Sequence, residues 1–144
     1  MKKRLMPFAF ALMIGSAVGG ADATVTIKVV THPAVPGTQI QKETLADVFL
    51  GRTNRLANGQ VLVPVDQSLQ SPVRAAFSQG ILSQPVAAVR MYWMREMQKN
   101  RRPPMTKGSD ADVLAFVASN PGAIGYVASG TATDASVKEV QVVQ

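Results

Sequence analysis

The chain has no cysteine and one histidine, His32, in its 144 residues. Without thiols there are no disulfides, no thiolate nucleophile and no Cys/His zinc site. A single imidazole cannot build a histidine metal cluster, and no nucleophile motif accompanies it, so His32 reads as a structural or surface residue. Aromatic residues are few, 6% of the chain with one tryptophan. Basic residues outnumber acidic ones by 15 to 9, but they are scattered except in KNRRPP, residues 99–104. Scattered charge with few aromatics argues against a nucleic-acid interface, and KNRRPP reads as a solvated loop. No Ser/His/Asp set and no carboxylate pair at a workable spacing is present, so the sequence points away from an enzyme. Asp110 and Asp112 instead suit a helix start. No metal or other cofactor is implied.

The N-terminus is distinctive. Lys2, Lys3 and Arg4 precede a mostly apolar run from Leu5 to Val18, and Ala21-Asp22-Ala23 follows as an A-x-A site. This is the pattern of a cleavable secretory signal peptide, residues 1–23. The run is short for a membrane span of about 20 residues, and Pro7 interrupts it. The expected location is the periplasm. Removing Lys2, Lys3, Arg4 and Asp22 leaves 12 basic and 8 acidic residues of the original 15 and 9, a net charge of +4. Residues 24–144 are then enough for one domain with its own core.

Along that domain, TVTIKVVTHP alternates and is rich in β-branched residues, which predicts a strand ending before Pro33. PAVPGTQIQ reads as a loop. KETLADVFLG sets Leu45, Val48 and Phe49 on one helical face, with Gly51 as the stop. VLVPV, Val61 to Val65, predicts a short apolar strand with Pro64 at an end or an unpaired side. Val73, Phe77 and Ile81 mark a helix, and SQPVAAVRMYWMREMQK a longer one with a stripe of Val86, Val89, Trp93 and Met97. Its Met91, Tyr92, Trp93 and Met94 read as core-packing bulk, although they also suit a sticky groove. NRRPPMTKG reads as a loop. Ser109 and Asp112 form a capping box ahead of Val113, Phe116 and Val117. AIGYVA is a buried strand with a closely approached glycine, and VKEVQVV a last strand at an edge. Strands separated by helices predict an α/β layer fold with a mixed sheet.

One stretch is odd in this scheme. In DQSLQSPVRAAF, Ser71 is a good N-cap and Pro72 a good first helical residue. Arg74 then lies in the first turn, where the helix dipole disfavours a cation by roughly 0.3–1 kcal/mol. Either an anion visits this helix start or Arg74 pairs with a neighbouring acid such as Asp66. In α/β sheets ligands sit beyond the carboxyl ends of strands, and this loop is such a place.

LADVFLGR, VLVPVDQSLQSPVRAAF, the YW of the following helix and GSDADVLAFVASNPGAIGYV occur in an order that resembles the phosphate-type periplasmic solute-binding proteins of ABC transporters, in the type 2 periplasmic binding protein superfamily. The resemblance covers nearly all of residues 24–144 and is to the second lobe only. It implies a single three-layer lobe and an anion motif at the start of the helix after VLVPV. Gln67 or Asp66 stands where the family's motif has arginine. Ser71 matches its serine, Pro72 replaces its glycine and Val73 its threonine. Proline removes an N–H, valine a hydroxyl, and the missing arginine a bidentate partner for an oxyanion. The resemblance therefore implies a weak site for phosphate or another small oxyanion, made by Gln67, Ser71, Val73 and Arg74. A second function fits the same lobe: docking on a membrane signalling or transport protein. A homodimer would rebuild a two-sided cleft.

Overall fold

The computed structural model describes residues 25–144; the predicted leader and its cleavage site lie outside them. The element order is β1 (Ile27–Thr31), β2 (Gln39–Gln41), α1 (Lys42–Phe49), β3 (Val63–Gln67), α2 (Pro72–Phe77), α3 (Val86–Met97), β4 (Met105–Lys107), α4 (Asp110–Ser119), β5 (Ala123–Ala128) and β6 (Lys138–Val143). A π-helical turn, Ser78–Leu82, continues α2. The strands form one six-stranded sheet in the order β2-β6-β1-β5-β3-β4. The central β1 runs antiparallel to both β5 and β6, while β3 runs parallel to β5 and β4, and β2 parallel to β6. This is the mixed α/β sheet that the alternation of strand and helix predicts.

The period-two pattern of each strand divides the core between the two faces of the sheet. Val29 of β1 with Ile124 and Tyr126 of β5 meets Leu45 and Phe49 of α1, Phe77 of α2 and Trp93 of α3. Val30 and Val127, one residue along each strand, meet Val113 and Val117 of α4 on the opposite face with Val65. The sheet thus lies between two helical layers. Gly125 allows the α4 layer to close: a Cβ there would lie 2.8 Å from methyls of both Val65 and Val113. Gly51 ends α1 at φ +67°, in the left-handed region that glycine tolerates, and the Trp93 ring packs where its side chain would be.

Several expectations need correction. PAVPGTQIQ and NRRPPMTKG are not wholly loops, because their three-residue strands β2 and β4 pair along the two rims of the sheet. VKEVQVV is therefore not an edge strand: β2 covers the outer side of β6. The strand at VLVPV lies two residues later, at Val63–Gln67, and Pro64 sits before the point where β4 begins to pair, at Val65. The helix carrying Phe77 widens into the π turn before Ile81, and Ser83 closes it in the left-handed region. On α3, Met97 is exposed and Glu96 takes the buried position, held by Arg101 at 3.0 Å and by Lys99 at 3.3 Å. Phe116 is only half-buried at the margin of the α4 layer. KNRRPP is not merely solvated, because Arg101 also donates to the Leu50 carbonyl at 3.2 Å.

Candidate functional site

The β3–α2 junction brings Gln67, Ser71, Val73 and Arg74 into one turn of chain. Ser71 is the N-cap, and Pro72 supplies the first helical φ without needing a hydrogen bond. The Ser71 Oγ accepts from the Val73 N–H at 3.2 Å and the Arg74 N–H at 3.3 Å. The same hydroxyl donates to the Gln67 Oε1 at 2.8 Å. The helix is short, six residues before the π turn, so its aligned dipoles are few.

Arg74 does not point at solvent. Its side chain is buried, and its Nη1 donates to the Gln67 carbonyl at 2.8 Å and lies 3.3 Å from the Asp66 Oδ2. This pairing with Asp66 is one of the two arrangements the sequence left open. Asp66, equally buried, has a full set of partners: its Oδ1 accepts from the Gln67 N–H at 2.9 Å and from the Tyr126 hydroxyl. Burial pushes the Asp66 carboxyl above its ordinary value of 3.8, while Arg74, Tyr126 and the Gln67 N–H oppose the shift. Burial, and then the charge of Asp66, push the Tyr126 hydroxyl upward as well, so it stays protonated and donates. The Tyr126 ring lies flat on Phe77, with centroids 3.9 Å apart and planes 1° from parallel.

Gln67 connects this knot to α4. Its Nε2 donates to the Asp110 Oδ1 at 2.7 Å and to the Tyr126 carbonyl at 3.0 Å. Asp110 Oδ2 in turn accepts from the Ala128 N–H at 3.2 Å and the Thr131 hydroxyl at 2.7 Å. Ser109 caps α4 by accepting from the Asp112 N–H at 3.1 Å. Sequence reasoning gave Asp110 only a capping role and gave Tyr126 none. A tyrosine within an otherwise apolar strand was the available signal, since a buried hydroxyl needs a partner.

The junction therefore gathers a guanidinium, two helix-start N–H groups, a hydroxyl and an amide, the donor types an oxyanion uses. Each already has an acceptor within the domain, and the Asp66 carboxylate takes the place beside Arg74 that an external anion would need. Elsewhere, the His32 Nδ1 accepts from the Ala34 N–H at 3.0 Å, which shapes the turn after β1. Among the described residues no three His, Cys, Asp or Glu side chains come together as metal ligands.

This α/β fold, a mixed six-stranded sheet between helical layers, is similar to part of the fold of phosphate-transport binding proteins, like one lobe of them. The likeness is seen in several solved structures. An ABC-type phosphate transport receptor from Vibrio cholerae superposes with a TM-score of 0.65 at 20% identity, over 82% of this chain and 46% of the receptor. A putative phosphate ABC transporter substrate-binding protein with bound phosphate from Clostridium perfringens gives 0.65 at 21% identity, over 82% of this chain and 45% of that one. PstS from Borrelia burgdorferi gives 0.64 at 16% identity, over 82% and 47%. This chain thus spans under half the length of each, and at these identities the likeness is one of fold. No protein-family model and no curated protein matches the sequence. Among the described residues no helix is long and apolar enough to cross a membrane.

Proposed function

We propose that residues 24–144 form an exported, periplasmic solute-binding module that takes phosphate or a related oxyanion weakly at the start of α2. The observation that carries this reading is the lobe fold, shared with phosphate-transport binding proteins, together with the gathering of Ser71, Gln67, Val73 and Arg74 at its β3–α2 junction. The work of the module is binding, and neither covalent nor acid–base chemistry is assigned to it.

The geometry sets the strength of binding. An arriving oxyanion competes with the Asp66 carboxylate for Arg74, and with the Ser71 hydroxyl for the Val73 and Arg74 N–H groups. Contacts won at the expense of existing ones add little, so affinity falls near the millimolar level, about −4 kcal/mol.

Thermal denaturation in increasing phosphate and sulfate tests this. A ligand that binds only the folded state stabilises by about 1.4 kcal/mol at ten times its dissociation constant. The expected result is a melting temperature that climbs through the millimolar range and does not climb in Arg74→Ala. A flat profile for both anions would sink the reading. A rise that persists in Arg74→Ala would place the anion elsewhere.

A further inference from the structure

The sequence reads Met91, Tyr92, Trp93 and Met94 as core-packing bulk, and the structure corrects that reading for the two methionines. Trp93 is buried and Tyr92 turns inward to donate to the Leu50 carbonyl at 2.6 Å. Met91 and Met94 are 53% and 49% exposed. At 100° per residue they share the outward face of α3 with Ala87, opposite the buried Val89, Trp93 and Glu96. Leu69 of the β3–α2 loop and Val86 join them to line a groove of about 510 Å3. Arg90 flanks this stripe on one side and Arg95 on the other. Both are exposed, and neither is in a salt bridge among the described residues.

We infer that this face of α3 is a docking groove for an acidic amphipathic segment of another polypeptide. Methionine side chains are flexible and polarisable, which suits a groove that moulds to the leucine-type knobs of a partner helix. The unpaired Arg90 and Arg95 would receive carboxylates on either side of those knobs. Charge also decides against a second copy of the chain: the stripe carries two cations and no acid, so two such faces repel. The aromatic rings that anchor proteins at a bilayer interface are turned inward here, which decides against a lipid surface. This inference does not rest on the oxyanion reading, which concerns a different helix and a different arginine.

The test uses the exported protein labelled with 13C at the methionine methyls. The probe is a helical peptide of about 18 residues with a leucine stripe flanked by glutamates, and its control carries lysine for every glutamate. The acidic peptide is expected to move the Met91 and Met94 methyl signals saturably and to leave Met105, exposed on β4, in place. In the double variant Arg90→Glu/Arg95→Glu its affinity falls about tenfold and the lysine peptide becomes the better ligand. Equal response to both peptides would overturn the proposal. So would movement of these methyls with protein concentration alone, which marks a second copy. Movement on vesicles of phosphatidylcholine with about one-quarter phosphatidylglycerol, but not on the peptide, would assign the face to a membrane instead.

Discussion

Arg74 and the pair Arg90 and Arg95 lie on neighbouring helices and direct their charge in opposite ways. Arg74 sits under the sheet, where the last residues of β3 supply a carboxylate and a carbonyl. Arg90 and Arg95 frame an apolar stripe that faces solvent. Residue type alone does not separate the two cases. What separates them is register: one position along α2 faces the strand end, while two positions along α3 face away from the core. The first region is closed on itself and serves the fold before any ligand, and the second is open and available.

The largest effect should come from opening the closed region. Arg74→Ala leaves the buried Asp66 carboxylate without its cation and is expected to cost about 3–5 kcal/mol in urea denaturation. The double variant Asp66→Asn/Arg74→Met removes both charges and keeps an amide oxygen to accept from the Tyr126 hydroxyl, so it should recover most of that loss. A neutral Arg74→Ala would show that Arg74 behaves like a surface residue, as Arg90 and Arg95 do. Ser71→Ala removes the cap of two N–H groups and the donor to Gln67, and should cost about 1 kcal/mol by the same assay.

The pH dependence sharpens the same region. Asp66 holds its proton more tightly in the folded chain than in the unfolded one, because burial raises its pKa. Its contribution to stability is therefore complete below 3.8 and is lost as pH rises through the higher folded value. Relative to Asp66→Asn, the wild type should lose stability as pH rises from acid towards neutral. Asp134 and Glu139, both shifted downward by their hydrogen bonds, act equally in the two proteins and cancel in that difference. A constant difference between the two melting profiles would contradict the assignment. The smallest effect belongs to the open region: Arg90→Glu/Arg95→Glu should change stability by no more than about 0.5 kcal/mol while reversing the charge preference of the groove.

The architecture was largely legible because long periodic segments carry it. The faces of α1 and of β5, the Ser71-Pro72 start, the Ser109 cap and the glycine stop at Gly51 all follow from local chemistry. β2 and β4 did not show, since a three-residue strand exists only through its neighbour and leaves no period of its own. The exchange of Met97 for Glu96 on the buried side of α3 was hidden for a similar reason. A buried glutamate is tolerable only beside Arg101 and Lys99, and that proximity is made by the loop after the helix. At the junction, the candidate donors and the alternative partner Asp66 were both visible in the sequence. The choice between them depended on where β3 ends, which came two residues later than its apolar run suggested. That shift places Asp66 and Gln67 inside the strand and within reach of Tyr126.

By holding Arg74 at 3.3 Å, Asp66 should limit the oxyanion binding proposed for the start of α2. Isothermal titration of phosphate into the wild type and into Asp66→Asn tests it most directly. The expected result is a dissociation constant near the millimolar level for the wild type and binding about tenfold tighter in Asp66→Asn, a gain of about 1.4 kcal/mol. Binding that is unchanged or weaker in Asp66→Asn would contradict it.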